Sequence, residues 1–145
     1  MSKLFRAPGG FVLAGSAFLT FVVHLTLAED HAGSGDWKAP ARAASMKNPV
    51  PATAQSLSQG KAVYAKECTS CHGDAGKGNG PEAANLSRKP TDLSDPQVRN
   101  ESDGEIFWKI SEGKKPMPRF AHSLNEDQRW HVVNYLRSLA PQKTQ

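Results

Sequence analysis

Between Ala7 and Ala28 the chain has no Asp, Glu, Lys or Arg, and apolar residues fill most of the run, notably Phe11 to Leu13, Phe18 to Val23 and Leu25 to Leu27. Lys3 and Arg6 precede it. A basic start followed by 22 uncharged residues predicts an export signal or an uncleaved membrane anchor, with the positive flank held in the cytoplasm. Thr26-Leu27-Ala28, just before Glu29-Asp30, offers a cleavage point. Residues 1–28 are therefore read as signal or anchor. Residues 29–54 change character, being rich in Ala, Gly, Ser and Pro, with Pro40, Pro49 and Pro51 interrupting any helix. They are expected to form a linker arm, a tether or an extended surface-hugging segment, polyproline-like near Asn48-Pro49-Val50-Pro51. Trp37 is the exception and is expected either to pack on the folded part or to meet a membrane surface.

Helical periodicity begins near residue 55. Ser56-Leu57-Ser58-Gln59, Ser102-Asp103-Gly104-Glu105 and Ser123-Leu124-Asn125-Glu126 each have the form of a capping box, in which a hydroxyl and a side chain three residues on satisfy free amides at a helix start. Each precedes an amphipathic stretch. The first helix carries Leu57, Gly60, Val63 and Tyr64; the second carries Ile106, Phe107 and Ile110 and is closed by Gly113. The third carries Trp130, Val132, Val133, Tyr135, Leu136 and Leu139 and stops at Ala140-Pro141. Gly60 inside a helix costs about 1 kcal/mol relative to Ala, which implies close approach of another helix. The polar stretch Gly73 to Glu101 contains Gly76, Gly78, Gly80, Pro81 and Pro90, and Asp95-Pro96 predicts one short helical turn within it. The prediction is an all-α domain over 55–141, with three main helices plus short turns, and a tail at 142–145.

A chain of 145 residues has room for one such domain. The formal charge is +4, but Lys3 and Arg6 account for two of the cations and leave +2 for the remainder, too mild to point to nucleic acid. With 8% aromatic residues, the folded part is small for a self-sufficient core, so a buried cofactor would supply missing apolar surface.

The two cysteines stand in Cys68-Thr69-Ser70-Cys71-His72, the attachment pattern for a c-type haem. On a helix, positions i and i+3 share a face, so both thiols can reach the vinyl groups of one porphyrin while the next residue offers its imidazole to the iron. Three rival chemistries fit these five residues less well. A zinc site would need further ligands from His72, His122 or His131; a thioredoxin-like pair expects strands beside the motif; and a disulfide across so small a loop would constrain little. Met117 lies in Lys115-Pro116-Met117-Pro118-Arg119-Phe120, where two prolines forbid helix and hold it in a stiff loop. Its thioether is a soft ligand that favours ferrous iron, so Met117 is the expected sixth ligand, with His122 in reserve. His131 is expected to be an ordinary helical residue, and His31 and Met46 sit in the arm, a poor place for a ligand.

Over about 54–140 the chain resembles class I cytochromes c, the monohaem bacterial type. The resemblance rests on Cys68 to Gly73, Gly78-Asn79-Gly80-Pro81, Lys89-Pro90-Thr91-Asp92-Leu93, Pro116-Met117-Pro118 and Trp130 to Leu136, in that order. It implies one covalent haem c on Cys68 and Cys71, and His72 and Met117 as axial ligands. The first and last helices would cross near Gly60 with Tyr64 and Tyr135 close by, and the Pro81 carbonyl would accept the proton of the outer nitrogen of His72. The expected function is one-electron transfer between respiratory or dehydrogenase partners, not catalysis, outside the cytoplasm in the periplasm, either soluble or tethered to the inner membrane. Redox protein partners, acidic ones if Lys114, Lys115 and Arg119 steer them, are expected, and nucleic acid is not. Alternatives are a membrane-anchored subunit of a larger oxidoreductase complex, and a haem peroxidase or gas sensor in which Met117 dissociates.

Overall fold

A computed structural model describes residues 37–139, so the expected signal or anchor, His31 and the tail lie outside the described residues. The helices are α1 (Ala41–Ala44), α2 (Ala54–Glu67), α3 (Thr69–His72), α4 (Pro96–Asn100), α5 (Asp103–Glu112) and α6 (Glu126–Leu139). Short 3-10 turns cover Ala83–Asn85 and Phe120–His122. The fold is all-α, and α2, α5 and α6 are the three main helices. Among the described residues no helix is long and apolar enough to cross a membrane.

Local signals start most of these elements. Ser102 and Glu105 form the expected capping box of α5, with the Glu105 amide donating to Ser102 Oγ at 3.2 Å and the Ser102 amide to Glu105 Oε2 at 2.7 Å. Gly113 closes the helix at φ +62°. Asp95 caps α4 with Pro96 in its first turn. Two expected caps are corrected. α2 begins two residues before Ser56, capped by Thr53, whose hydroxyl accepts from the Ser56 amide at 3.1 Å. Ser56 is instead buried against α6, where Oγ accepts from Asn134 Nδ2 at 2.8 Å and lies 2.9 Å from His131 Nδ1. At α6 the box is Asn125 with Gln128, each amide donating to the other side chain at 2.9 Å. Ser123 is drawn into the preceding turn, its amide donating to the Phe120 carbonyl at 3.1 Å.

The core is the crossing of α2 and α6 with α5 laid against α6. Trp130, Val132, Val133 and Leu136 are buried on α6, Tyr64 on α2, and Ile106, Phe107 and Ile110 on α5. Phe107 stacks on Trp130 with ring centroids 3.9 Å apart. Arg137 ties the end of α6 to the α4–α5 junction, donating from Nε to Asp103 Oδ1 at 2.8 Å and from Nη1 to the Arg99 carbonyl at 3.0 Å.

The arm is more ordered than a tether. From residue 37 onward it lies on the domain, Ala43 is fully buried, and Asn48 Nδ2 donates to Asn134 Oδ1 at 2.8 Å. Asn134 Nδ2 returns a bond to the Val50 carbonyl at 3.0 Å.

Candidate functional site: a cavity around the cysteine motif

α3 carries the motif, and the glycine-rich loop after it finishes that short helix. The amides of Glu82, Gly80 and Gly78 donate to the carbonyls of Ser70, Cys71 and His72 at 2.8, 3.0 and 2.9 Å. These are the carbonyls a helix end leaves without partners. A side chain at Gly80 would put a β-carbon 2.4 Å from the Thr69 and Ser70 carbonyl oxygens, so only glycine lets the loop lie this close. The loop then turns back, Leu93 N donating to the Gly76 carbonyl at 2.7 Å, and brings residues 89–93 alongside His72.

That return sets the imidazole. His72 Nδ1 lies 3.1 Å from the Thr91 carbonyl, which accepts its proton and leaves Nε2 as the nitrogen for a metal. The expected acceptor, Pro81, is corrected: it is exposed, and the folded-back chain presents the Thr91 carbonyl instead. Burial lowers the His72 pKa against the opposing pull of Thr91, which keeps the ring neutral with a free lone pair. Burial, with smaller contributions from Glu67 and Cys71, pushes the Cys68 thiol up to about 12. Tyr64 Oη donates to the Gly73 carbonyl at 2.7 Å, anchoring the residue that follows His72.

Two adjoining, largely apolar cavities open at the motif. Trp37, Cys68, His72, Thr91 and Met117 line both. The first adds Cys71 and Phe120, and the second reaches the core at Ile106, Val132 and Leu136. Cys68, Cys71, His72 and Met117 are thus brought together. His122 is exposed, His131 is engaged with Ser56, and Met46 is exposed, so none of the three joins the site. Among the described residues no three His, Cys, Asp or Glu side chains converge, and Cys68 and Cys71 are not bonded to each other. An apolar space with two thiols at one side, a neutral imidazole and a thioether fits a covalently attached haem. Sequence reasoning did not assign Thr91, whose carbonyl lies 19 positions from the ring it meets, or the pair Glu101 and Lys109 at the second cavity. Lys114 does line the first cavity, while Arg119 is paired with Glu112 at 2.9 Å.

An all-α domain folded around this motif is a class I cytochrome c, and it binds haem c covalently, Cys68 and Cys71 fitting the attachment motif. More specifically, the chain belongs to the family described as cytochrome c oxidase, cbb3-type, subunit III, whose profile matches residues 55–136. No curated protein sequence matches it. Among solved structures it is similar to a chain of the Kuenenia stuttgartiensis reducing HAO-like protein complex Kustc0457/Kustc0458. The TM-score is 0.60 and the identity 29%, over 66% of this chain and 50% of that one. The chain therefore spans about half the length of that neighbour. It also shares its fold with the KustC0563 c-type cytochrome, with TM-score 0.50 and 24% identity over 57% of this chain and 98% of the other.

Proposed function

We propose that this protein carries single electrons between redox protein partners outside the cytoplasm, with His72 and Met117 as the axial ligands of its haem iron. The observation that carries the reading is that Met117 and His72 line the same two cavities as the attachment cysteine Cys68. Bound haem c supplies reversible one-electron chemistry at its iron. The chain's own contribution is to hold the ligands still. His72 is oriented by the Thr91 carbonyl, and Met117 sits in a tight turn whose amide donates to the Lys114 carbonyl at 2.9 Å. His72 and Met117 would hold the iron in both oxidation states, and ligands kept in place in this way would need little rearrangement as an electron arrives or leaves. The apolar run at 7–28 supports an extracytoplasmic location, as a soluble periplasmic protein or one tethered to the inner membrane.

The test is the ferric absorption spectrum of the haem-loaded protein. A sulfur-to-iron charge-transfer band in the far red is expected, and Met117→Ala should abolish it, give a high-spin haem that binds added ligands, and lower the potential markedly. An unchanged spectrum would move the sixth ligand elsewhere. A second reading, that the protein is a subunit of a larger oxidoreductase complex, is favoured by the family's description as an oxidase subunit and by the neighbour drawn from a complex. Association that survives high salt through purification from membranes would support it, since encounters between free redox carriers are weak and short-lived.

A further inference from the structure

Trp37 belongs to the arm, outside the stretch 55–136 that matches the family, yet it lines both cavities at the motif. It is half-buried and meets two side chains of α5. Its ring lies 6.3 Å from that of Trp108, tilted by 55°. Lys109 Nζ sits 5.7 Å from its centroid, a cation–π arrangement. The ammonium is itself paired with Glu101, the two side chains being only 14% and 19% exposed. Lys109 and Glu101 also line the second cavity, so the ring rests on a neutralised pair at the cavity wall.

The arm behind the ring is clamped. Ala43 is buried against α5 at Gly104, where a β-carbon would lie 2.1 Å from the Ala43 carbonyl oxygen. Further on, the hydrogen bonds of Asn134 to Asn48 and to the Val50 carbonyl fasten the arm to α6. The placement of Trp37 therefore follows from an arm fixed at two points, with the indole bridging the two cavities.

We propose that Trp37 is a wall of the haem site, supplied by the arm and seated on Trp108 and Lys109, which excludes water from the haem and so raises its potential. The physical reason is charge. Ferric haem carries one more positive charge than ferrous, water stabilises the more charged form, and a low-dielectric wall favours the reduced one. An indole covers the most area of any side chain that could close such an edge. The inference rests on the His72 and Met117 ligation proposed above.

The test compares Trp37→Ala and Trp37→Leu with the wild type in the full-length, haem-loaded protein, by spectroelectrochemical titration together with the far-red band and thermal unfolding. The expected result is a potential that falls in the order wild type, Leu, Ala, with the band retained in all three. Trp37→Leu keeps apolar volume and decides the matter if Trp37→Ala loads haem poorly. A wild-type potential in the variants overturns the proposal, even where their thermal stability drops, because a purely structural role moves stability alone. Loss of the band in Trp37→Leu also overturns it, since Trp37 would then be holding Met117. A wild-type protein that lacks the band counts instead against the ligand assignment, which keeps the two failures apart.

Discussion

Gly60 of α2 meets His131 of α6 so closely that a β-carbon on the glycine would lie 2.0 Å from the His131 carbonyl oxygen and 2.9 Å from Cβ of Tyr135. The two helices cross backbone to backbone at this point. The crossing in turn sets Tyr64 and Tyr135, with ring centroids 5.2 Å apart, beside the motif.

Gly60→Ala should therefore destabilise the protein. Overpacking costs about 1–3 kcal/mol, while the better helix former returns about 1 kcal/mol. Because the obstacle is a carbonyl within a helix and not the end of a flexible side chain, the overpacking cost should prevail. Guanidinium unfolding of the haem-loaded variant measures it, and a variant as stable as the wild type would mean that the crossing is slack.

Tyr64→Phe should cost about 0.5–1.5 kcal/mol, the net worth of one hydrogen bond. It should not cost more, because the Gly73 carbonyl also accepts from the Gly76 amide at 3.1 Å. The variant also carries a pH signature. Burial above all, with the Asp74 charge adding to it, raises the Tyr64 pKa far above its ordinary value near 10. Above about pH 10 the unfolded chain loses this proton while the folded one keeps it, so that part of the stability is complete below that pH and declines as pH rises. The stability gap between wild type and Tyr64→Phe should narrow from about pH 9 to about pH 11, as read from denaturant midpoints. A gap that widens would contradict the buried phenol.

Acidified organic solvent should leave the colour on the wild-type polypeptide. In Cys68→Ala/Cys71→Ala the colour should pass into the solvent, because no thioether remains to hold the porphyrin. Colour extracted from the wild type would refute covalent attachment.

Gly104→Ala should lift the arm, since the added β-carbon collides with the Ala43 carbonyl oxygen and lies 2.7 Å from Cβ of Met46. Lys38, Arg42 and Lys47 are exposed basic residues on the arm, so brief trypsin treatment followed by mass spectrometry reports its release. Faster cutting at those three residues, with the remainder of the domain resistant, is expected. Equal rates would show that the contact with α5 does not hold the arm.

Much of this protein was legible from short-range pattern because the governing interactions are themselves short-range. The C-x-x-C-H spacing, the Ser102–Glu105 box, the Asp95-Pro96 start and the proline-flanked Met117 each work within a few residues. By itself the sequence determined an all-α class, the two thiols and imidazole of the attachment motif, and the need for a glycine where two helices meet. Tertiary structure decided the rest. Ser56 has the residue type of a cap, but its hydroxyl is claimed by Asn134 and His131, 78 and 75 positions away, so the start of α2 falls to Thr53. Thr91 displaces Pro81 beside His72 because the loop doubles back, and the arm becomes a wall because Trp37 finds Trp108 and Lys109. Those outcomes turn on which distant groups compete for one donor or one apolar surface, and that competition exists only once the chain has folded.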